Sequence, residues 1–122
     1  MDLGAEIVDA VLDSAGITGD DIEDVIFGCV GQVGAGSNNI ARNVVLSTKK
    51  LPETLPGYTL DRQCGSSQQA IHAAAQAVMS GTQDVVIVGC VEIMSLVGIG
   101  AAAVAGHKAG HGGPNGLAIK ER

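Results

Sequence analysis

Residues 66–81, SSQQAIHAAAQAVMSG, limit the possible fold more than any other stretch of this chain. At helical spacing Ile71, Ala74, Ala75 and Val78 form one face and Ala70, Ala73 and Ala77 another, so little of the circumference is polar. A helix apolar nearly all round is buried on several sides. It needs packing layers on more than one side, and its many alanines require those layers to come close.

The text on either side supplies strands and further helices. Leu3 to Ala15 carries Ile7, Val8, Val11, Leu12 and Ala15 at helical spacing, opposite Glu6, Asp9 and Asp13, which predicts a helix buried on one face and closed by Gly16. TGDDIED is a polar turn capped by Thr18, and DVIFGCVGQ reads as a strand. GQVGAGSNN is a loop, and Asn38 or Asn39 caps a second helix through IARNVVLSTKK, which Pro52 and Pro56 bring to a close. GYTLDRQ is a short strand running into Cys64, and QDVVIVGCVE is a third strand, apolar without alternation as expected when both faces are covered. Helix and strand in strict alternation predict an α/β fold with a parallel sheet and crossover helices. From Gly98 onward the chain is glycine-rich with little periodicity, so an irregular region is expected there. Three strands and three helices leave nothing to cover the outer face of the alanine-rich helix, so either a partner or a further part of the fold must do so.

At 122 residues the chain is the size of one domain. Seven Lys and Arg against 13 Asp and Glu give a net charge of −6, and Asp2, Glu6, Asp9, Asp13, Asp20, Asp21, Glu23 and Asp24 crowd the N-terminal end. No basic stripe with interleaved aromatics is present, which argues against nucleic acid as a partner. The apolar run around Val85–Val91 is too short to span a bilayer. Three cysteines with no close pair and no signal-like N-terminus suit a reduced, cytoplasmic protein.

Cys64 carries the sharpest chemical question. A thiol attacks as its thiolate, and helix N-termini favour negative charge through their unpaired N–H groups and dipole. Gly65 allows close approach of a substrate, Ser66 or Ser67 can cap the helix, and a strand-to-helix turn leaves backbone N–H groups to hold an oxyanion. Physical reasoning alone leaves two readings open, a nucleophile at Cys64 or one more small buried thiol.

The stretch DRQCGSSQQAIHAAAQAVMSGTQDVVIVGCVEIMS resembles the nucleophile segment of the thiolases, in which an N-x-x-C-G-S-[SG] turn opens a helix and a G-G-x-E-S-M-S stretch follows the next strand. The earlier DVIFGCVGQVGAGSNNIARNVVL is similar to that family's second strand, glycine loop and N-x-A-R helix. The resemblance runs from Leu3 to about Leu96 and implies a layered α-β-α-β-α fold built from two similar halves, dimeric or tetrameric. On this basis residues 1–97 would be part of an N-terminal domain and 98–122 the glycine-rich start of a loop region. The implied activity is acyl transfer between coenzyme A thioesters through an acyl-cysteine at Cys64, by thiolytic cleavage of a 3-ketoacyl-CoA or the reverse condensation. The backbone N–H of Cys64 would contribute to the oxyanion hole and Gly65, Ser66 and Ser67 would support the turn. No metal or cofactor is implied, the coenzyme A thioester being substrate. The nucleophile helix would lie between two sheets, which accounts for its two apolar faces.

The departures are specific. Asp61 stands where the family commonly has Asn, Cys90 replaces the second glycine of G-G-x-E-S-M-S, and Ile93 replaces its first serine, while Glu92, Met94 and Ser95 match. The family's opening strand would precede Leu3, and its activating histidine (G-H-P) and acid/base cysteine (C-x-G) find no counterpart, since His72, His107 and His111 lie in other contexts. The expectation is a partial chain that does not turn over alone. The alternative is a non-catalytic thiolase-like fragment or association module.

Other motifs are read more plainly. Gly34-Ala35-Gly36 lacks the third glycine of a dinucleotide fingerprint and is a tight loop. His107 and His111 have metal-ligand spacing, but the glycines around them argue against a helix and no metal site is expected. Arg42 and Arg62 are expected either on a coenzyme A phosphate or in ion pairs within the fold or across a subunit contact, Lys49 and Lys50 at a solvated helix end, Glu92 in a structural hydrogen bond, and Cys29 in the core of a strand.

Overall fold

The computed structural model describes residues 2–113. A first helix, α1 (Asp2–Ala15), ends at Gly16, whose φ of +68° is the left-handed conformation that glycine adopts without steric cost. A short 3₁₀ turn, Gly19–Asp21, follows, in which Thr18 N–H and Oγ1 both donate to Asp21 Oδ2 at 2.9 and 2.8 Å. Then come β1 (Asp24–Gly28), a 3₁₀ turn at Gly34–Gly36, α2 (Ile40–Ser47), β2 (Gly57–Leu60), α3 (Ser66–Met79), β3 (Val86–Cys90) and α4 (Ala101–Lys108).

The three strands form one parallel sheet in the order β2-β1-β3, with Gly28 opposite Leu60 on one side and Cys90 on the other. The connection from β1 to β2 steps one way across the sheet, and that from β2 to β3 steps back over β1. Right-handed crossovers in opposite directions put their helices on opposite faces. That is what the core shows. Val25, Phe27 and Cys29 pack with Val8 and Leu12 of α1 and Ile40, Val44 and Val45 of α2, while Ile26 packs with Ala70 and Ala74 of α3. The result is three layers, α-β-α, of the five that the resemblance implies.

Several boundaries and faces depart from the sequence expectations. Helix α2 stops at Ser47 rather than Lys50. Lys50 is not merely solvated: its ammonium pairs with Asp13 of α1. Only one side of α1 is covered, so Ile7 and Val11 of its apolar face lie exposed, while the outer face of α3, with Ile71, Val78 and Met79, is uncovered as expected. Strand β3 is an edge strand, half-buried rather than covered on both faces. Cys29 is buried as expected but lies one residue past the end of β1, its N–H donating to Leu60 O at 3.0 Å.

The glycine-rich tail is the clearest correction, since 101–108 is a helix. Its signal was three consecutive alanines and a stop rather than an apolar face, because none of its residues is buried. It closes with Gly110 left-handed, Gly110 N–H donating to His107 O at 3.0 Å and His111 N–H to Gly106 O at 2.9 Å, the paired bonds of a Schellman ending. His107 therefore belongs to the last turn of α4 and His111 lies beyond its cap, so the two do not share a helical face. Residues 114–122 of the expected loop region lie outside the described residues.

No helix among the described residues is long and apolar enough to cross a membrane.

Candidate active site

The carboxyl ends of the three strands bring three connections together, and in open α/β sheets this is the edge where ligands bind. They are the 29–39 loop after β1, the Asp61–Gly65 segment after β2 and the 91–100 segment after β3.

The geometry around Cys64 begins with a tight turn. Gly65 N–H donates to Arg62 O at 2.6 Å, so Gln63 and Cys64 are its two central residues. Cys64 has φ of +61° and Gln63 is not left-handed, which is the type II pattern, where the third residue is ordinarily Gly or Asn. A cysteine held there stores strain of about 1–2 kcal/mol. The thiol is exposed, at the start of a helix, on a backbone that the surroundings hold in an unfavoured conformation. Strained, exposed nucleophile turns between a strand and a helix are a recurring catalytic device.

The turn is held by its neighbours. Gly65, not a serine, is the N-cap of α3, and among the described residues no side chain caps that helix. Ser66 instead ties the front of the turn to the first residue of the helix, because its buried hydroxyl accepts from Arg62 N–H at 3.0 Å. Ser67 is exposed. The Arg62 guanidinium donates to Gln69 Oε1, one helical turn further on, and Arg42 donates to Leu55 O at 2.9 Å. Neither arginine pairs with a carboxylate among the described residues, so neither forms the expected ion pair within this part of the fold. Nothing in the sequence pattern had marked Gln69 as a brace of this turn.

Gly28 sets how deeply the helix seats. A Cβ there would come within 2.6 Å of the Ser66 carbonyl oxygen and the Ser67 nitrogen. The first turn of α3 therefore rests directly on the backbone of β1. An isolated glycine inside a strand is a sign of such close approach, and Gly28 carried that signal. Among the described residues Cys64 N–H has no protein acceptor, and the N–H groups of Ser66 and Ser67 belong to the unpaired first turn of the helix.

The other two connections are fastened to the sheet. Glu92 Oε1 accepts from Gly31 N–H at 2.8 Å, joining the loop after β3 to the loop after β1. Asn39 caps α2 through Oδ1, accepting from Arg42 N–H at 3.1 Å, and the same oxygen accepts from Thr59 Oγ1 at 2.9 Å. Its amide donates to Gly57 O at 2.7 Å, so one side chain binds α2 to β2. Ala41, fully buried, is small enough for α2 to sit on Gly57. The N-x-A-R spacing at 39–42 is thus a helix start locked onto the strand that leads to Cys64.

Of the three thiols, Cys29 is set apart from the exposed pair. Burial first, then the nearby Glu92 carboxylate, push it up to about 11. It lines a cavity of about 60 Å³ with Gly31, Gly36, Ile40, Glu92 and Val97. A larger, apolar groove of about 470 Å³ lies between α1 and β3, lined by Leu3, Ile7, Val11, Ile87 and Val91 among others.

The family described as "Thiolase, N-terminal domain" matches residues 1–121. The chain is 46% identical over 114 residues to the steroid 3-ketoacyl-CoA thiolase FadA6 of Mycobacterium tuberculosis, covering 93% of this chain and 28% of that protein. It is 43% identical over 97 residues to the 3-ketoacyl-CoA thiolase of Psychrobacter cryohalolentis, covering 80% of this chain and 25% of the relative. The crystal structure of the Bacillus anthracis acetyl-CoA acetyltransferase matches with a TM-score of 0.72 and 33% identity, over 79% of this chain and 24% of that one. The chain spans about a quarter of the length of these relatives.

Proposed function

The chain belongs to the thiolase family through its N-terminal domain, and from that premise we propose that Cys64 is the acyl acceptor of a thiolase-type acyltransferase. The single observation that carries this reading is the left-handed, exposed Cys64 at the start of α3. Its thiolate attacks the thioester carbonyl of an acyl-CoA. The carbonyl oxygen becomes an oxyanion held by backbone N–H groups of the turn, that of Cys64 among them, and coenzyme A leaves as its thiolate. Gly65, Ser66 and Ser67 keep the turn open and seated, Arg62 braces it through Gln69, and Glu92 fixes the neighbouring loop. No metal or organic cofactor takes part in these steps. The names of the relatives, thiolases of 3-ketoacyl-CoA and an acetyl-CoA acetyltransferase, support a coenzyme A thioester as substrate.

His72 is exposed on α3, and no histidine, carboxylate or lysine hydrogen-bonds Cys64 among the described residues. The chain by itself therefore accepts an acyl group without carrying out repeated turnover. Assembly as a homo-oligomer is supported by the exposed apolar residues of α1 and α3, and three free thiols suit the cytoplasm. The test is release of coenzyme A. Mixing the chain with acetyl-CoA should liberate at most one thiol per chain, and Cys64→Ser should liberate none. Equal release from both proteins would leave the acyl-acceptor reading without support, in favour of a non-catalytic association module.

A further inference from the structure

Cys90 occupies the position where the glycine-rich stretch it resembles has a glycine, and the sheet register shows what a side chain there faces. Cys90 is paired with Gly28. Along β1 the odd residues Val25, Phe27 and Cys29 face the layer of α1 and α2, and Ile26 faces α3. On β3, Val86 and Val88 share the α3 cluster, so the two-residue period of a strand puts Cys90 on the α3 face. Gly28, one strand spacing away at about 4.8 Å, is the residue on which Ser66 and Ser67 rest. Cys64 lies two residues before Ser66. The topology thus brings two exposed free thiols to the same end of the same sheet face, while Cys29 is buried on the opposite face.

We propose that Cys64 and Cys90 close to a reversible intramolecular disulfide under peroxide, with Cys90 as the resolving thiol that protects Cys64 from further oxidation. The Cys64 sulfur attacks the O–O bond of hydrogen peroxide, giving a sulfenic acid and one water. The Cys90 sulfur then attacks the Cys64 sulfur, the S–S bond forms as the S–O bond breaks, and the hydroxyl leaves as a second water with the proton from Cys90. Two thiols lose two electrons and two protons, and the peroxide is reduced to water. Both thiols are exposed, and the bond closes when their Cα atoms come within about 7 Å of one another. The inference rests on the acyl-acceptor reading in taking Cys64 as the reacting thiol.

The test treats the reduced chain with hydrogen peroxide, then maps its peptides without reduction. The expected result is loss of the mass of two hydrogens, one linked pair of peptides containing Cys64 and Cys90, and full reversal by dithiothreitol. In Cys90→Ser, Cys64 should instead progress to the sulfinic acid. Equal sulfinic acid formation in the two proteins, a bridge to Cys29, or bridges only between chains would overturn the proposal. Alkylation of reduced Cys64 by iodoacetamide at neutral pH separates the two readings. Rapid alkylation with no peroxide bridge refutes this inference and leaves the acyl acceptor standing. An inert Cys64 refutes the acyl acceptor, and treatment with diamide, which couples neighbouring thiols without a sulfenic acid, then decides the bridge by its presence or absence.

Discussion

Replacing Cys64 by glycine should make the protein more stable while abolishing its chemistry. A residue with a Cβ held left-handed costs about 1–2 kcal/mol, and glycine escapes that cost but loses about 0.5–1 kcal/mol more backbone entropy on folding. Cys64 is exposed, so removing its sulfur sacrifices little packing. The net expectation is that Cys64→Gly is about 0.5–1 kcal/mol more stable than Cys64→Ala, which keeps the Cβ and with it the strain of φ +61°. Urea unfolding followed by circular dichroism reads the difference. With a slope of about 1–1.5 kcal/mol per molar for a chain this size, the midpoint of the glycine variant should lie roughly 0.5 M above that of the alanine variant. Neither variant should react with acetyl-CoA. A glycine variant equal to or weaker than the alanine variant would show that Cys64 is not strained, and the argument for a preorganised nucleophile turn would lose its main support.

Three further outcomes follow from particular contacts. Gly28→Ala should cost about 3 kcal/mol, because its methyl meets the backbone of Ser66 and Ser67, whereas Gly98→Ala, with open space around it, should lie within about 0.5 kcal/mol of the parent; thermal melts of the two variants check this. Glu92→Ala should lose about 1 kcal/mol through the orphaned Gly31 N–H, and Glu92→Gln should recover most of it in the same urea assay, since an amide oxygen can also accept. Cys29 should resist iodoacetamide until the pH nears 11, and its contribution to stability should be complete below pH 9.0, the ordinary thiol value, and vanish as the pH rises through about 11. The sign follows because between those values the unfolded thiol has lost its proton and the folded one has kept it. Alkylation mapped against pH, alongside urea midpoints at the same pH values, would contradict this if Cys29 reacted at neutral pH.

The sheet and its helices were readable because each element announced itself locally. Val8 and Leu12 repeat at helical spacing, β1 is an apolar run ending in glycine, and Asn39 stands immediately before an apolar helical pattern. The parallel arrangement followed from their alternation. What periodicity could not carry was α4, whose alanines have no buried face to create a pattern, so the helix is legible only through alanine propensity and its Gly110 stop. Burial was overstated on α1 and β3 because an apolar face tells that something covers it in the folded assembly, not that this chain does, whereas the uncovered outer face of α3 was legible from the count of elements. At the site, the position of Cys64 before a helix was legible, but its left-handed backbone was not, because the residue usual in that conformation is glycine or asparagine. The hydrogen bonds that Arg62 donates to Ser66 and to Gln69 depend on how the turn folds back on the helix, which no spacing rule encodes.

The strained turn of Cys64 is proposed to accept an acyl group from a coenzyme A thioester. Its most direct test is peptide mapping of the chain after a brief incubation with acetyl-CoA at neutral pH. The expected result is a single acetyl group, as a hydroxylamine-sensitive thioester, on the peptide containing Cys64, absent from Cys64→Ser. An unmodified Cys64, or acetylation spread over Cys90 and lysines to the same extent, would contradict it.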